Sequence, residues 1–406
     1  MQSKNEKSNA PLSGVRVLDL TNVLSGPFCC HQLAHMGAEV IKVEIPGSGD
    51  LARQLGADPD LNEKYMGVSF LAQNSGKKSI TINLKAEEGK KLLKKLVRTA
   101  DVVVENFRPG VMDRLKLGYE TLLKENPSLV YCAISGFGQD GPLKDLPAYD
   151  QIIQGMSGVM SITGDPDNAP LRVGYPMADT IGGMTAAFAI SSALNNRETN
   201  GGCFLDVSML ESVISTMGWV VSNYLVAGKS PQPMGNDNFT ASPSGTFKTG
   251  EGLINIAANK QVQFEAVCHV VGRSELTKDP RFIKRQDRLE FRQELKELLE
   301  DSMSSNTAEY WRDKFNEAGV PAGCVATVEQ ALSQDQIADR GMIATFNGAQ
   351  GLDREIKIAR PGVKLNGKPI VTTTPPPALG QHTDELLEEL GLSSEDINQL
   401  KEKRIV

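Results

Sequence analysis

Residues 170–184 read Pro-Leu-Arg-Val-Gly-Tyr-Pro-Met-Ala-Asp-Thr-Ile-Gly-Gly-Met. They set one carboxylate, Asp179, between an apolar extended stretch and a helix expected over 180–194. Aspartate is a favoured helix N-cap, because its side chain accepts from the first free N–H groups and meets the positive end of the helix dipole. The same placement permits chemistry. A carboxylate at that end of a helix is expected to stay ionised, and Gly182 and Gly183 leave room beside it. That suits a nucleophile that forms a covalent acyl intermediate. This stretch alone fits both a cap and a nucleophile.

The elements that must position Asp179 alternate. Val15-Arg-Val-Leu-Asp-Leu20 reads as a strand, 21–27 as a loop and 28–35 as a helix closed by Gly37. With Ala38-Glu-Val-Ile-Lys-Val-Glu44 as the next strand, they form a parallel βαβ unit. It lacks Gly-x-Gly-x-x-Gly, which weakens a dinucleotide reading. Lys78-Ser-Ile-Thr-Ile-Asn-Leu84 is a third strand. Lys85 opens a helix with Leu92, Leu93, Leu96 and Val97 on one side and a solvated lysine face on the other. Asp101-Val-Val-Val-Glu105 runs into Asn106-Phe-Arg-Pro-Gly110, a polar loop at a strand's C-terminal edge, where open α/β sheets bind ligands. A helix over 119–125 and a strand over 129–135 follow. The pattern predicts an α/β fold: a doubly wound, Rossmann-like large domain over 11–225 after a disordered lead-in at 1–10. One long apolar helix is expected over 209–227. A smaller α+β domain is expected over 226–325, with a hairpin around Thr249-Gly-Glu-Gly252 and helices over 261–271, 288–302 and 308–318, before a return to the large domain over 326–406.

The chain has 406 residues, enough for two domains with sizeable cores. A formal net charge of −7 argues against nucleic acid as a partner. No run of 18 apolar residues suggests a membrane span, and the first ten residues lack the apolar core of a signal peptide. Six scattered cysteines and four histidines show no zinc-site spacing. No metal is expected, and a reducing cytoplasm fits.

Several motifs in order resemble one family. They are Leu12-Ser-Gly-Val-Arg-Val-Leu-Asp-Leu20, Ser25-Gly-Pro27, Gly37-Ala-Glu-Val-Ile-Lys-Val-Glu44, Pro46-Gly-Ser-Gly-Asp50, Val104-Glu-Asn-Phe-Arg-Pro-Gly110, Gly136-Phe-Gly-Gln-Asp-Gly-Pro142, Met177-Ala-Asp179 and Leu379-Gly-Gln-His-Thr-Asp384. Together they resemble the class III CoA-transferases, the formyl-CoA transferase and carnitine CoA-transferase family. The nearest likeness is to its dicarboxylate branch, typified by succinate–hydroxymethylglutarate CoA-transferase. The resemblance implies that Asp179 attacks an acyl-CoA thioester and that Asp150 assists near the reaction centre or holds a local turn. By the same likeness Asn22, Val23, Leu24, Ser25, Lys85, Asn106, Phe107 and Arg114 line the CoA site. CoA is then a substrate, no cofactor is tightly bound, and the chain forms an interlocked homodimer. Arg172, Arg53 and the loop 236–244 are candidates to hold the far carboxylate of a substrate acid. Leu24 and Ile45 stand where formyl-CoA transferase carries a glutamine and an arginine, and its run of consecutive glycines is absent, so oxalate and formate are not expected substrates. A racemase of the same family would need a histidine where Tyr149 stands. A non-catalytic acyl-CoA-binding subunit would not need Asp179.

Overall fold

In the computed structural model, residues 10–406 are described; the expected lead-in lies, but for Ala10, outside them. The described residues fall into two compact units. One holds residues 10–159, 172–227 and 336–406, the other 160–171 and 228–335.

The first unit is built on six strands: β1 (Arg16–Asp19), β2 (Glu39–Glu44), β3 (Lys77–Thr81), β4 (Val102–Glu105), β5 (Val130–Ser135) and β6 (Cys203–Ser208). They pair in the order β3-β2-β1-β4-β5-β6, and every pairing is parallel. The central strands are short runs rich in Val and buried on both faces, whereas the edge strand β3 opens on two lysines and the edge strand β6 exposes Phe204. Alternation sends Val17, Val40, Val102 and Val104 to one core and Leu18, Ile41 and Val103 to the other. Helices α1 (Ser25–His35), α4 (Asp150–Met156), α5 (Met177–Asn200) and α6 (Met209–Thr216) contribute to the first core. Helices α2 (Glu87–Val97) and α3 (Tyr119–Glu125) contribute to the second, with α11 (Thr383–Glu389) and α12 (Ser394–Glu402). Each fully buried Leu, Ile or Val stabilises this arrangement by roughly 1.5–3 kcal/mol before entropy is counted.

Three local expectations change. Helix α1 starts at Ser25 rather than Phe28, because Pro27 lacks an N–H and fits a first helical turn. Lys85 sits in a turn closed by the Ala86 N–H on the Asn83 carbonyl, and α2 starts at Glu87. The long helix expected over 209–227 is two, α6 and α7 (Gly218–Ala227), divided where Gly218 takes a positive φ of 35°.

In the second unit β7 (Ser244–Lys248) and β8 (Leu253–Ala257) form an antiparallel hairpin, extended by β9 (Ala322–Cys324). Helices α8 (Gln261–Val270), α9 (Arg292–Met303) and α10 (Ala308–Glu317) bury Phe264, Leu299 and Phe315 against it.

Candidate active site

The sheet order reverses between β1 and β4, and the loops leaving their C-terminal ends meet there. In open parallel sheets this crevice is where ligands bind. Asn106 joins the two loops. Its Nδ2 donates to the Asn22 carbonyl at 2.8 Å and to Ser25 Oγ at 3.3 Å, and its Oδ1 accepts from the Asn22 N–H at 2.8 Å. The loop after β1 is anchored from below by buried charges. Val23 has a positive φ of 67°, which costs a β-branched residue energy. Its N–H donates to Asp50 Oδ1 at 2.9 Å. Lys42 Nζ lies 2.9 Å from Asp50 Oδ2 and donates to the Thr21 carbonyl at 2.8 Å. Lys77 Nζ donates to Asp19 Oδ2 at 2.8 Å and to the Pro27 carbonyl at 3.0 Å. Burial pushes the Asp19 carboxyl up, but the Lys42 and Lys77 ammoniums outweigh it and hold it below the usual range. For Asp50 likewise burial is overcome by Lys42 and by the Val23 and Ala52 amides.

Asp179 is not the N-cap of α5. That helix starts two residues earlier, at Met177, with Pro176 in the cap position. The capping carboxylate comes from elsewhere: Asp150 Oδ1 accepts from the Ala178 N–H at 2.7 Å and the Asp179 N–H at 3.2 Å. Gln154, one turn along α4, donates to Asp150 Oδ2 at 2.7 Å and accepts from the Val173 N–H at 2.9 Å. Relieved of capping, the half-buried Asp179 side chain faces a cavity of about 220 Å³. The expectation that it stays fully ionised at neutral pH is corrected. Burial, and then the nearby Asp150 carboxylate, push its pKa up to about 7. Desolvation and like charge here exceed the pull of the helix end.

The cavity brings Asp179 together with Asn22, Val23, Leu24, Ser25, Asn106 and Phe107, and with Tyr149, which is 66% exposed. Lys85 and Arg114 do not line it; both are exposed, Arg114 at the end of a short turn of helix after Gly110. Asp150 does not line it either. Arg108 and Lys144 do, and neither was singled out, because a lone cation in a polar loop reads as surface. Asp50 and Lys42 were missed as well. Lys42 carried a signal: it is a lysine inside the otherwise apolar run of a buried parallel strand. Arg53 is not free for a substrate. It is fully buried, bonds Glu44 with Nε and Nη2 at 2.7 Å each, and stacks 3.7 Å from the Phe70 ring centre. Arg172 is exposed, and the loop 236–244 belongs to the second unit.

A family model, CoA-transferase family III, matches residues 12–383. The chain belongs to that family. This CoA-transferase is 41% identical over 355 residues to acetyl-CoA:oxalate CoA-transferase of Acetobacter aceti, covering 87% of this chain and 90% of the relative. It is 36% identical to succinyl-CoA:glutarate CoA-transferase of Mus musculus, covering 94% and 87%. The crystal structure of a CaiB/BaiF family protein from Brucella suis matches the transferase with a TM-score of 0.82 at 34% identity, over 94% of this chain and all of that one. The doubly wound fold and the enzyme class implied by the motifs are thereby shown.

Proposed function

We propose that Asp179 is the nucleophile of CoA transfer from an acyl-CoA, with succinyl-CoA the first donor to test, to a free dicarboxylic acid. The observation that carries this reading is a carboxyl group held near neutrality, facing the switch-point cavity, with its helix capped by another residue. In the ionised form it attacks the thioester carbonyl carbon. The C–S bond breaks, giving a mixed anhydride and CoA thiolate. The thiolate attacks the Asp179 carbonyl carbon, releasing the donor acid and leaving an aspartyl-CoA thioester. The acceptor carboxylate then runs the two steps in reverse, and Asp179 leaves as a carboxylate. A carboxylate with a raised pKa is a stronger nucleophile than an ordinary one.

Asn22, Val23, Leu24, Ser25, Asn106 and Phe107 take the pantetheine end of CoA in this reading, and the exposed cations Lys85 and Arg114 its phosphates. Asp150 acts as a positioning group through the α5 amides. Relatives named for glutarate, D-citramalate and oxalate support a dicarboxylic acceptor. The oxalate relative removes the ground for excluding oxalate on Leu24 and Ile45. Phe188, Trp219, Leu225 and Val226, each at least 60% exposed, support the homodimer, which light scattering would check.

The test is a covalent trap. The protein is incubated with succinyl-CoA, quenched with hydroxylamine or borohydride, and the Asp179 peptide is read by mass spectrometry. A modified peptide that disappears in Asp179→Asn supports the reading. An unmodified peptide, with CoA still bound, overturns it and returns the case to a racemase, which deuterium exchange at the α-carbon would reveal.

A further inference from the structure

Each tetrahedral intermediate of this chemistry places negative charge on a former carbonyl oxygen, and that charge needs a donor. The start of α5 beside Asp179 is the obvious source, yet its amides are spent. The Met177 N–H donates to the Tyr175 carbonyl at 2.7 Å, those of Ala178 and Asp179 to Asp150, and that of Thr180 to the Pro176 carbonyl at 3.1 Å. The donor must come from another wall of the cavity.

We infer that the Ser25 hydroxyl is that donor, a further catalytic residue that hydrogen-bonds the oxyanion formed when Asp179 attacks the thioester. Ser25 is 4% exposed and lines the same cavity as Asp179. Gly183, one turn beyond Asp179 on the same face of α5, abuts the Ser25 carbonyl oxygen so closely that an added Cβ would overlap it. The starts of α1 and α5 therefore stand side by side. Asn106 Nδ2 donates to Ser25 Oγ at 3.3 Å. That fills one of the hydroxyl's two acceptor sites and leaves its single proton to be given away. Among the described residues no acceptor for that proton is recorded, although the side chain is more than nine-tenths buried. A buried hydroxyl proton without a protein acceptor, in the cavity of a nucleophile, is matched by a ligand oxygen. The reacting carbonyl is the atom that Asp179 must approach from the same side.

The role extends to all four acyl-transfer steps, because each passes through an oxyanion at a carbonyl that is bonded to the Asp179 carboxyl or belongs to it. No proton is transferred. The hydroxyl only shortens its hydrogen bond as charge develops, and lengthens it when the C–S or C–O bond breaks.

This inference rests on Asp179 as nucleophile, and its test separates the two. Ser25→Ala is compared with wild type by single-turnover release of succinate from succinyl-CoA, by the affinity for CoA from calorimetry, and by thermal melting. The expected result is acylation slowed by about 100-fold, while CoA affinity falls by less than about tenfold and the melting temperature by only a few degrees, the cost of one lost neutral hydrogen bond. A residue that only packs the loop would move affinity and melting instead. If Ser25→Ala does not fold, Ser25→Cys, close in volume and a weak donor, is read the same way. Acylation at the wild-type rate in either soluble variant overturns the role of Ser25 while leaving Asp179 in place. A wild-type enzyme that never acylates overturns both.

Discussion

Asp179 was legible as a residue of interest from its sequence neighbourhood, but its physical state was not. The N-cap expectation assumed that the helix starts where its apolar run starts. The structure gives the cap to Asp150, 29 positions earlier, a pairing no local pattern contains. Two predictions follow from the raised pKa. With the ionised form as the proposed nucleophile, kcat/KM for acyl-CoA rises as pH increases through about 7 and levels off above it; a profile flat from pH 5.5 to 8.5 contradicts this. A carboxyl whose folded pKa lies above its ordinary value of 3.8 weakens the fold once it ionises. The loss begins above about pH 4 and is complete above about 7. Asp179→Asn, which cannot ionise, therefore melts higher than wild type at pH 8 and by a much smaller margin at pH 5. Its transfer activity falls by at least about 1,000-fold.

At the level of elements, the parallel strands were readable chiefly because β2, β4 and β5 are short, nearly continuous apolar runs. The helix starts were less so, because Ser25, Lys85 and Asp179 are placed by bonds to residues distant in sequence or by a turn with no apolar signature. The charged layer beneath the loop after β1 was invisible: Asp19, Lys42, Asp50 and Lys77 come from three strands and a loop. Lys42 is fully buried with Asp50 and Asp19 around it. Lys42→Met leaves Asp50 without its ammonium partner and Asp19 with Lys77 alone, and lowers unfolding free energy by about 3–5 kcal/mol, as denaturant titration would show. The packing of α1 on α5 makes a second prediction. In Gly183→Ala the added methyl meets the Ser25 carbonyl oxygen and Phe28, so the two helices move apart. The expected cost is about 1–3 kcal/mol, together with a fall in kcat at nearly constant affinity for CoA.

For the molecule as a whole, the strand order and the crevice at its reversal follow from the βαβ pattern and the handedness of its crossovers. How the C-terminal segment is used does not. Gly380, His382 and Thr383 lie along the open side of β3: the Ser79 N–H donates to His382 Nδ1 at 3.1 Å, the His382 N–H to the Ser79 carbonyl at 2.9 Å, and the Thr81 N–H to Thr383 Oγ1 at 3.1 Å. Removing residues 376–406 bares that edge and takes Leu386, Leu387 and Ile397 out of the core they share with Ile80, Leu93 and Leu96. The truncated chain is expected to pass into the insoluble fraction or elute as aggregate in size exclusion. The near-neutral Asp179 also ties the enzyme to its surroundings. A free carboxyl with a pKa of about 7 is close to half protonated at that pH, whereas its thioester carries no acidic proton. Forming the proposed covalent intermediate thus expels about half a proton per active site into the medium, and regenerating the free enzyme draws it back. A weakly buffered solution containing an indicator dye would show a transient acidification in step with CoA loading, absent at pH 9. The heat of the loading step would change with the ionisation enthalpy of the buffer.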